Sequence, residues 1–331
     1  MEPMQSAPRR LPRSVFAGLA LLSLAATAQA QGLALVSSEK DHALTVLDTK
    51  THAVTGSIAT CKRPRHMALL AGGKQLMVAC GDSRQIEIID LATRKALRQF
   101  ALGEGPEAFD LSPDGKTAYI SDEEDHELGY YDLASGKRTG GVKVGGEPEG
   151  VKVSPDGKWV YVASEVASAV YVVDAAAAKV AHIIKVGKRP RRFALTPDGG
   201  QLWVSNELGA SVSIIDTATN KVTATLDFAV PGVRKADITP VGLAMSRDGK
   251  RAFVSLGRAN HVAFVDVAAR KVTNLVLVGK RAWGLSLDKA EQTLYVVNGL
   301  SDDMTVIDVA AAKPLKTVKV GRVPYAVLLV E

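Results

Sequence analysis

Three short basic segments hold most of the side chains in this 331-residue chain that could do chemistry. They read Lys62-Arg63-Pro64-Arg65-His66, Lys188-Arg189-Pro190-Arg191-Arg192 and Lys280-Arg281-Ala282-Trp283. Arg322, just before Pro324-Tyr325, and the pair Arg234-Lys235 extend the set. Converging guanidinium and ammonium groups suit a carboxylate or a phosphate, because arginine donates in a planar fork and lysine acts as a point charge. Trp283 and Tyr325 offer a stacking surface or, equally, fill space between packed elements. Two further segments are acidic, Gly103-Glu104-Gly105-Pro106-Glu107 and Gly146-Glu147-Pro148-Glu149. Ordinary solvated surface charge is the plain alternative to a site.

Metal and nucleophile chemistry finds less support. His42, His126 and His261 fall in separate stretches, and His66 and His182 stand alone, so no pair has zinc-ligand spacing. There is no Gly-x-Ser-x-Gly elbow and no Cys-x-x-Cys. No metal, cofactor or catalytic residue is assigned. Cys61 and Cys80 form an even pair, which permits a disulfide in an oxidising compartment; a cysteine-bound soft metal is the competing reading.

What must position these residues is a repeat. Val-Ile-Asp or a variant ends at Asp48, Asp90, Asp132, Asp174, Asp216, Asp266 and Asp308, with steps of 42 residues except for one of 50. A fixed period in this range is the signature of a repeat architecture. One unit reads as a short strand (Val151-Lys152-Val153), a Ser154-Pro155-Asp156-Gly157 turn and a second strand (Trp159 to Ala163). A third strand (Ala169 to Val173) and a fourth (Lys179 to Val186) follow. Proline presets φ, aspartate bonds the backbone two residues on, and glycine supplies positive φ. Four strands per unit, repeated radially, make an all-β, seven-bladed propeller of antiparallel blades. The C-terminal strand Tyr325 to Val330 is expected to complete the blade begun by residues 33–59 and so close the ring. The prolines at 64, 106, 148, 190, 240 and 324, with Ala282, open each first strand, and an eight-residue insertion lies within Asp227–Asp237.

On that scaffold the seven aspartates recur once per blade, too far apart to share an ion, so a turn-capping role is the better reading. The loops entering each first strand share a face with the loops between second and third strands. That face carries a basic arc over five consecutive entries and an acidic arc over two. Arg192 and His66 stand out because other copies hold mostly Gly or Ala at their position. Glu39, Glu123, Glu165 and Glu207 lie on the same face, and pairing with the arginines would weaken an anion site.

Residues 1–30 read as a cleavable secretory signal: Arg9, Arg10 and Arg13, an apolar run from Val15 to Thr27, then Ala28-Gln29-Ala30 before Gln31. Secretion by the general route fits better than twin-arginine export. The single domain would then span residues 31–331 and be periplasmic. No later run is long and apolar enough to span a membrane. Loss of residues 1–30 lowers the net charge from +6 to +4, too little for a dedicated nucleic-acid binder.

The strand tetrapeptides Tyr161-Val162-Ala163-Ser164, Trp203-Val204-Ser205-Asn206 and Tyr295-Val296-Val297-Asn298, with the Ser-Pro-Asp-Gly-Lys and Val-Ile-Asp elements, resemble the YVTN family of propeller repeats. The likeness covers the whole mature chain, although no copy is a literal Tyr-Val-Thr-Asn. Within that family the chain resembles the propeller proteins associated with PQQ-dependent alcohol catabolism. This implies a periplasmic accessory protein whose partner is a quinone-dependent dehydrogenase or a transporter component.

Three functions follow as expectations. The first is non-catalytic binding of a small anion or a protein partner on the charged face. The second, by analogy of fold, is a lactonase or lyase using His66, Arg192 and Glu207. The third is nucleic-acid binding, disfavoured because an aromatic content of 5% is poor for base stacking.

Overall fold

A computed structural model describes Met1, residues 32–70 and residues 72–331. Apart from Met1, the signal segment read over residues 1–30 lies outside the described residues. Seven four-stranded antiparallel sheets make up the chain, each beginning with an innermost strand A and ending with an outer strand D. The A strands follow one another in a closed circle. In blade 1, strand A is Pro324–Val330, followed by Leu33–Ser38, Ala43–Asp48 and Val54–Ala59. Blades 2 to 7 then occupy residues 64–101, 106–143, 148–185, 190–227, 243–277 and 282–319. Leu33 pairs with Val330 and Val36 with Val327, so the last strand closes the ring and leaves no open inner edge.

Strands B and C are buried almost throughout because both of their faces pack on neighbouring blades. Strands D alternate and face water, as in Lys95–Ala101. Each of the seven aspartates ending a C strand accepts backbone N–H bonds in the following turn, for example Thr51 N to Asp48 at 2.7 Å and Thr219 N to Asp216 at 2.7 Å.

Blade 6 departs from the spacing. Its A strand is only Leu243–Met245 rather than beginning at Pro240. The insertion feeding it buries Phe228, Val230 and Ile238 against the core shared by blades 5 and 6. Residues 241 and 242 still exchange hydrogen bonds with Ser255, but the left-handed turn at Gly257 breaks the regular ladder above them.

One residue of strand B stitches blade to blade. The Ser205 hydroxyl, fully buried, accepts from Arg192 N at 3.0 Å and donates to Val241 O of the next blade at 2.7 Å. Ser37, Ser121 and Ser255 reach Arg65 O, Glu149 O and Trp283 O in the same way. Ala79, Ala163 and Val297 occupy this position in the other blades. Ser205→Ala leaves a buried amide and a buried carbonyl without partners, so it is expected to cost about 1–3 kcal/mol in urea unfolding.

Candidate functional site

The channel mouth is built by a repeated bulge. Pro64 opposes Cys80 and Met67 opposes Val78, so Arg65 and His66 together face a single residue, Ala79. The same slip occurs at Glu107-Ala108, Glu149-Gly150, Arg191-Arg192 and Trp283-Gly284, and Tyr325 is the extra residue of blade 1. A bulge bends its strand and re-aims its side chains. Here the re-aimed groups meet across the axis: Arg192 of blade 5 donates to the Tyr325 hydroxyl of blade 1. The residue after each opening position forms a ring running Tyr325, Arg65, Glu107, Glu149, Arg191, Val241, Trp283.

Arginines and glutamates of this ring neutralise one another. Arg191, 6% exposed at its side chain, touches Glu149 at 2.6 Å and also Glu165, with Glu207 3.5 Å from its Nε. Arg192 donates to Glu149 at 2.9 Å, and Arg65 pairs with Glu107 and lies 3.1 Å from Glu39. Arg65 Nε and Arg191 Nε lack hydrogen-bond geometry, so those two contacts are charge to charge only. Around them Arg63 spans Glu39, Asp82 and Glu107, and Arg189 bridges Glu165 and Glu207. Burial alone would raise the Glu149 carboxyl, but Arg191, Arg192 and Arg65 outweigh it and hold it down to about 2. Burial pulls the Arg65 and Arg192 guanidiniums down to about 10 against that attraction. Glu123 has no such partner; burial, with Glu149 and Glu147 nearby, raises its carboxyl.

The aromatic residues serve as stacking surfaces and as packing at once. Arg65 and Arg192 lie over the Tyr325 ring at 4.4 and 5.4 Å, and Arg281 and Arg191 over Trp283 at 4.5 and 5.1 Å. His66 packs edge-on against Phe109 at 4.7 Å and borders the lumen. Burial, then the Arg192 charge, takes its pKa down to about 3, so the ring is neutral.

Like many turns of the chain, each basic loop carries a left-handed residue. Arg63, Arg189 and Arg281 all have φ between 55° and 59°, a left-handed conformation that costs a non-glycine residue about 1 kcal/mol or more. Neighbouring blades hold two of them in place: His42 Nδ1 accepts from Arg63 N at 3.1 Å and Asn260 from Arg281 N at 2.8 Å. The Cys61–Cys80 disulfide is formed, with Cα atoms 5.8 Å apart, and ties the first basic loop to its own blade.

Not every charged residue joins the mouth. Arg234 and Lys235 pair with Asp237 and Asp227 of the insertion, and Arg322 pairs with Asp41 at the rim. Lys62, Lys188 and Lys280 are exposed, and among the described residues none lies within ion-pair distance of a carboxylate. Neither hydrogen bond nor ion pair joins His66 to Glu207, whose carboxylate faces Arg189 and Arg191. No group of three metal-ligating side chains occurs among the described residues. Glu39, Glu165 and Glu207 do pair with the arginines, leaving little unbalanced charge at the axis for a free anion.

Three apolar side chains on this face escape a sequence reading based on charge. Val166, Leu208 and Leu300 are 68%, 56% and 63% exposed. They sit at equivalent places two residues past a B strand. Their amides bond Gly146 O, Lys188 O and Lys280 O of the entry loops. The usable signal was their departure from the polar residues Lys40, Asp82, Glu124 and Arg258 at the same place in other blades.

A family model described as Choice-of-anchor I domain matches residues 127–298. No curated protein matches the sequence significantly. Among solved structures, the chain is similar to Kuenenia stuttgartiensis hydrazine synthase at 24% identity and a TM-score of 0.76, over 83% of this chain and 92% of that one. It is also similar to a functionally unknown protein from Desulfotomaculum acetoxidans DSM 771 at 17% identity and a TM-score of 0.77, over 90% of this chain and 98% of that one. At these identities the likeness is one of fold.

Proposed function

We propose that this chain, which belongs to the Choice-of-anchor I domain family, is a non-catalytic extracytoplasmic binding protein that docks a protein partner on its channel-mouth face. The observation that carries this reading is the exposure of Val166, Leu208 and Leu300 beside Lys188 and Lys280, around a rigid, self-neutralised Arg/Glu lattice. Apolar anchors ringed by charge are what a protein interface uses, since desolvated apolar groups supply affinity and rim charges steer encounter. A small anion would instead have to displace carboxylates from buried arginines. The partner is an acidic protein, complementary to the unpaired Lys62, Lys188 and Lys280. The resemblance to propellers of PQQ-dependent alcohol catabolism supplies its class, a quinone-dependent dehydrogenase or transporter component of the periplasm. A family named for anchoring and the signal segment both support an extracytoplasmic location.

The test is binding of immobilised protein to a purified periplasmic quinone-dependent dehydrogenase and to purified transporter components. Val166→Glu with Leu208→Glu should weaken binding roughly ten-fold or more, and affinity should fall as salt rises. Leu97→Glu, on an outer strand, should not matter. Unchanged binding in the double variant would rule the face out.

A further inference from the structure

Beneath the mouth lies a second feature that docking does not use. A cavity of about 230 Å³ occupies the lumen, bordered by the A strands of blades 1, 2, 5, 6 and 7. It extends from the ring of Tyr325, Val241 and Trp283 to Ser286 and Leu328, three positions further along the strands, a span of about 10 Å. Its walls are more apolar than polar, with Met67, Phe193, Leu243, Leu285 and Val327 at one level. The space exists because Gly242, Gly284 and Ala326 stand where blades 2 and 5 place His66 and Arg192. A side chain at Gly284 is excluded by the next blade, whose Tyr325 O lies 2.6 Å from where its Cβ would be.

The polar groups of this cavity are few. The His66 ring has no hydrogen-bond partner among the described residues. Trp283, 7% exposed, keeps an indole N–H with no acceptor, although buried tryptophan N–H groups usually find one. Ser286 is already committed to Val327 O at 2.7 Å. Arg192 is matched by Glu149, so a carboxylate entering the lumen would meet no unbalanced positive charge.

We infer that the lumen binds a small, uncharged molecule with an apolar body and one hydrogen-bond-accepting oxygen, of the class of aromatic or branched alcohols and carbonyl compounds. An apolar cavity of about 150 Å³ accommodates benzene, so the larger lumen has room for a substituted ring. The oxygen takes the unpaired ring N–H of half-buried His66, and the body fills the largely apolar walls beside the Trp283 ring. Neutral His66 is consistent with the exclusion of cations, because burial already expels a proton from its imidazole.

Benzyl alcohol, benzoate and benzylamine, three probes of one size and differing charge, test this on the full-length mature protein. Indole N–H resonances report the site, since Trp283 lines the lumen and Trp159 and Trp203 do not. Benzyl alcohol should shift the Trp283 signal saturably and leave the other two unmoved, with benzoate and benzylamine roughly ten-fold weaker or worse. Ala326→Leu, which fills the lumen, should weaken binding roughly ten-fold, and His66→Phe should weaken it several-fold, about one hydrogen bond. Absence of binding by all three probes, tighter binding of benzoate, or a shift at Trp159 or Trp203 instead would overturn the inference. The indole assignment decides the question even if Ala326→Leu fails to fold. Val166→Glu with Leu208→Glu, which should weaken docking, leaves the lumen intact, so the two readings fail separately.

Discussion

Replacing Arg191 by methionine is expected to lower folding stability by about 3–5 kcal/mol, the usual result of removing one partner from a buried ion cluster. The substitution leaves Glu149, Glu165 and Glu207, all under 10% exposed, facing one another without their shared cation. Methionine keeps the volume, so the loss reports charge rather than packing. A second change, Glu165→Gln, should recover part of it, because the residual repulsion then falls. Arg322→Met at the rim, where both partners of the ion pair are largely hydrated, should cost only about 0–1 kcal/mol. Acid will expose the same cluster. The Glu149 carboxyl is held near 2, below its ordinary 4.5, so its contribution is complete above about pH 4.5 and disappears as pH falls toward 2. That shift corresponds to about 3 kcal/mol. In Arg191→Met the Glu149 carboxyl is held down less, so the acid-side loss should start at the same pH but be smaller and end at higher pH. Urea midpoints measured from pH 7 to pH 3 would decide; equal slopes for wild type and variant would show that Arg191 does not hold the carboxylate.

Reduction of Cys61–Cys80 is expected to remove about 3 kcal/mol, the chain-entropy value for a closed loop of this size. The effect should reach the mouth, because Cys61 immediately precedes Lys62-Arg63 and its amide donates to buried Glu87 at 3.0 Å. Cys61→Ser with Cys80→Ser, compared with reduced and oxidised wild type in urea, separates the bond from the loss of sulfur packing. If the oxidised wild type and the double variant unfold at the same urea concentration, the bridge contributes nothing.

Architecture was legible in the sequence because each blade repeats the same punctuation. Period, turn chemistry and the Val-Ile-Asp mark agree, and together they led to seven blades and ring closure by the last strand. The mouth was legible only in its ingredients. Arg65, Arg191, Arg192 and the glutamates could be placed on one face, but their pairing depends on a bulge, and a one-residue slip leaves no trace in composition. Leu243 as the start of the blade 6 strand was hidden for a related reason: Pro240 keeps the repeat position while the insertion and Gly257 change the backbone beside it. Val166, Leu208 and Leu300 look like ordinary loop residues until the fold brings them to one side. The serine stitch was visible as a recurring Ser in strand B, with nothing in the pattern to say that its hydroxyl reaches the next blade.

Closure by Pro324–Val330 also determines how the molecule would be held. Leu33 and Val330 are paired at the end of blade 1 opposite Ser38 and Pro324, and it is the latter end that adjoins the charged mouth. Gly32 and Glu331, which flank this paired end, therefore lie on the side of the propeller away from the mouth. A tether, a tag or a fused domain at either terminus would orient the propeller like a dish on a stalk, its lysines and exposed leucines turned outward. Attachment within the loops at 82 or 208 would instead turn the dish over. Grafting chemistry at the termini is thus the way to display this surface, and the two ends are interchangeable for that purpose.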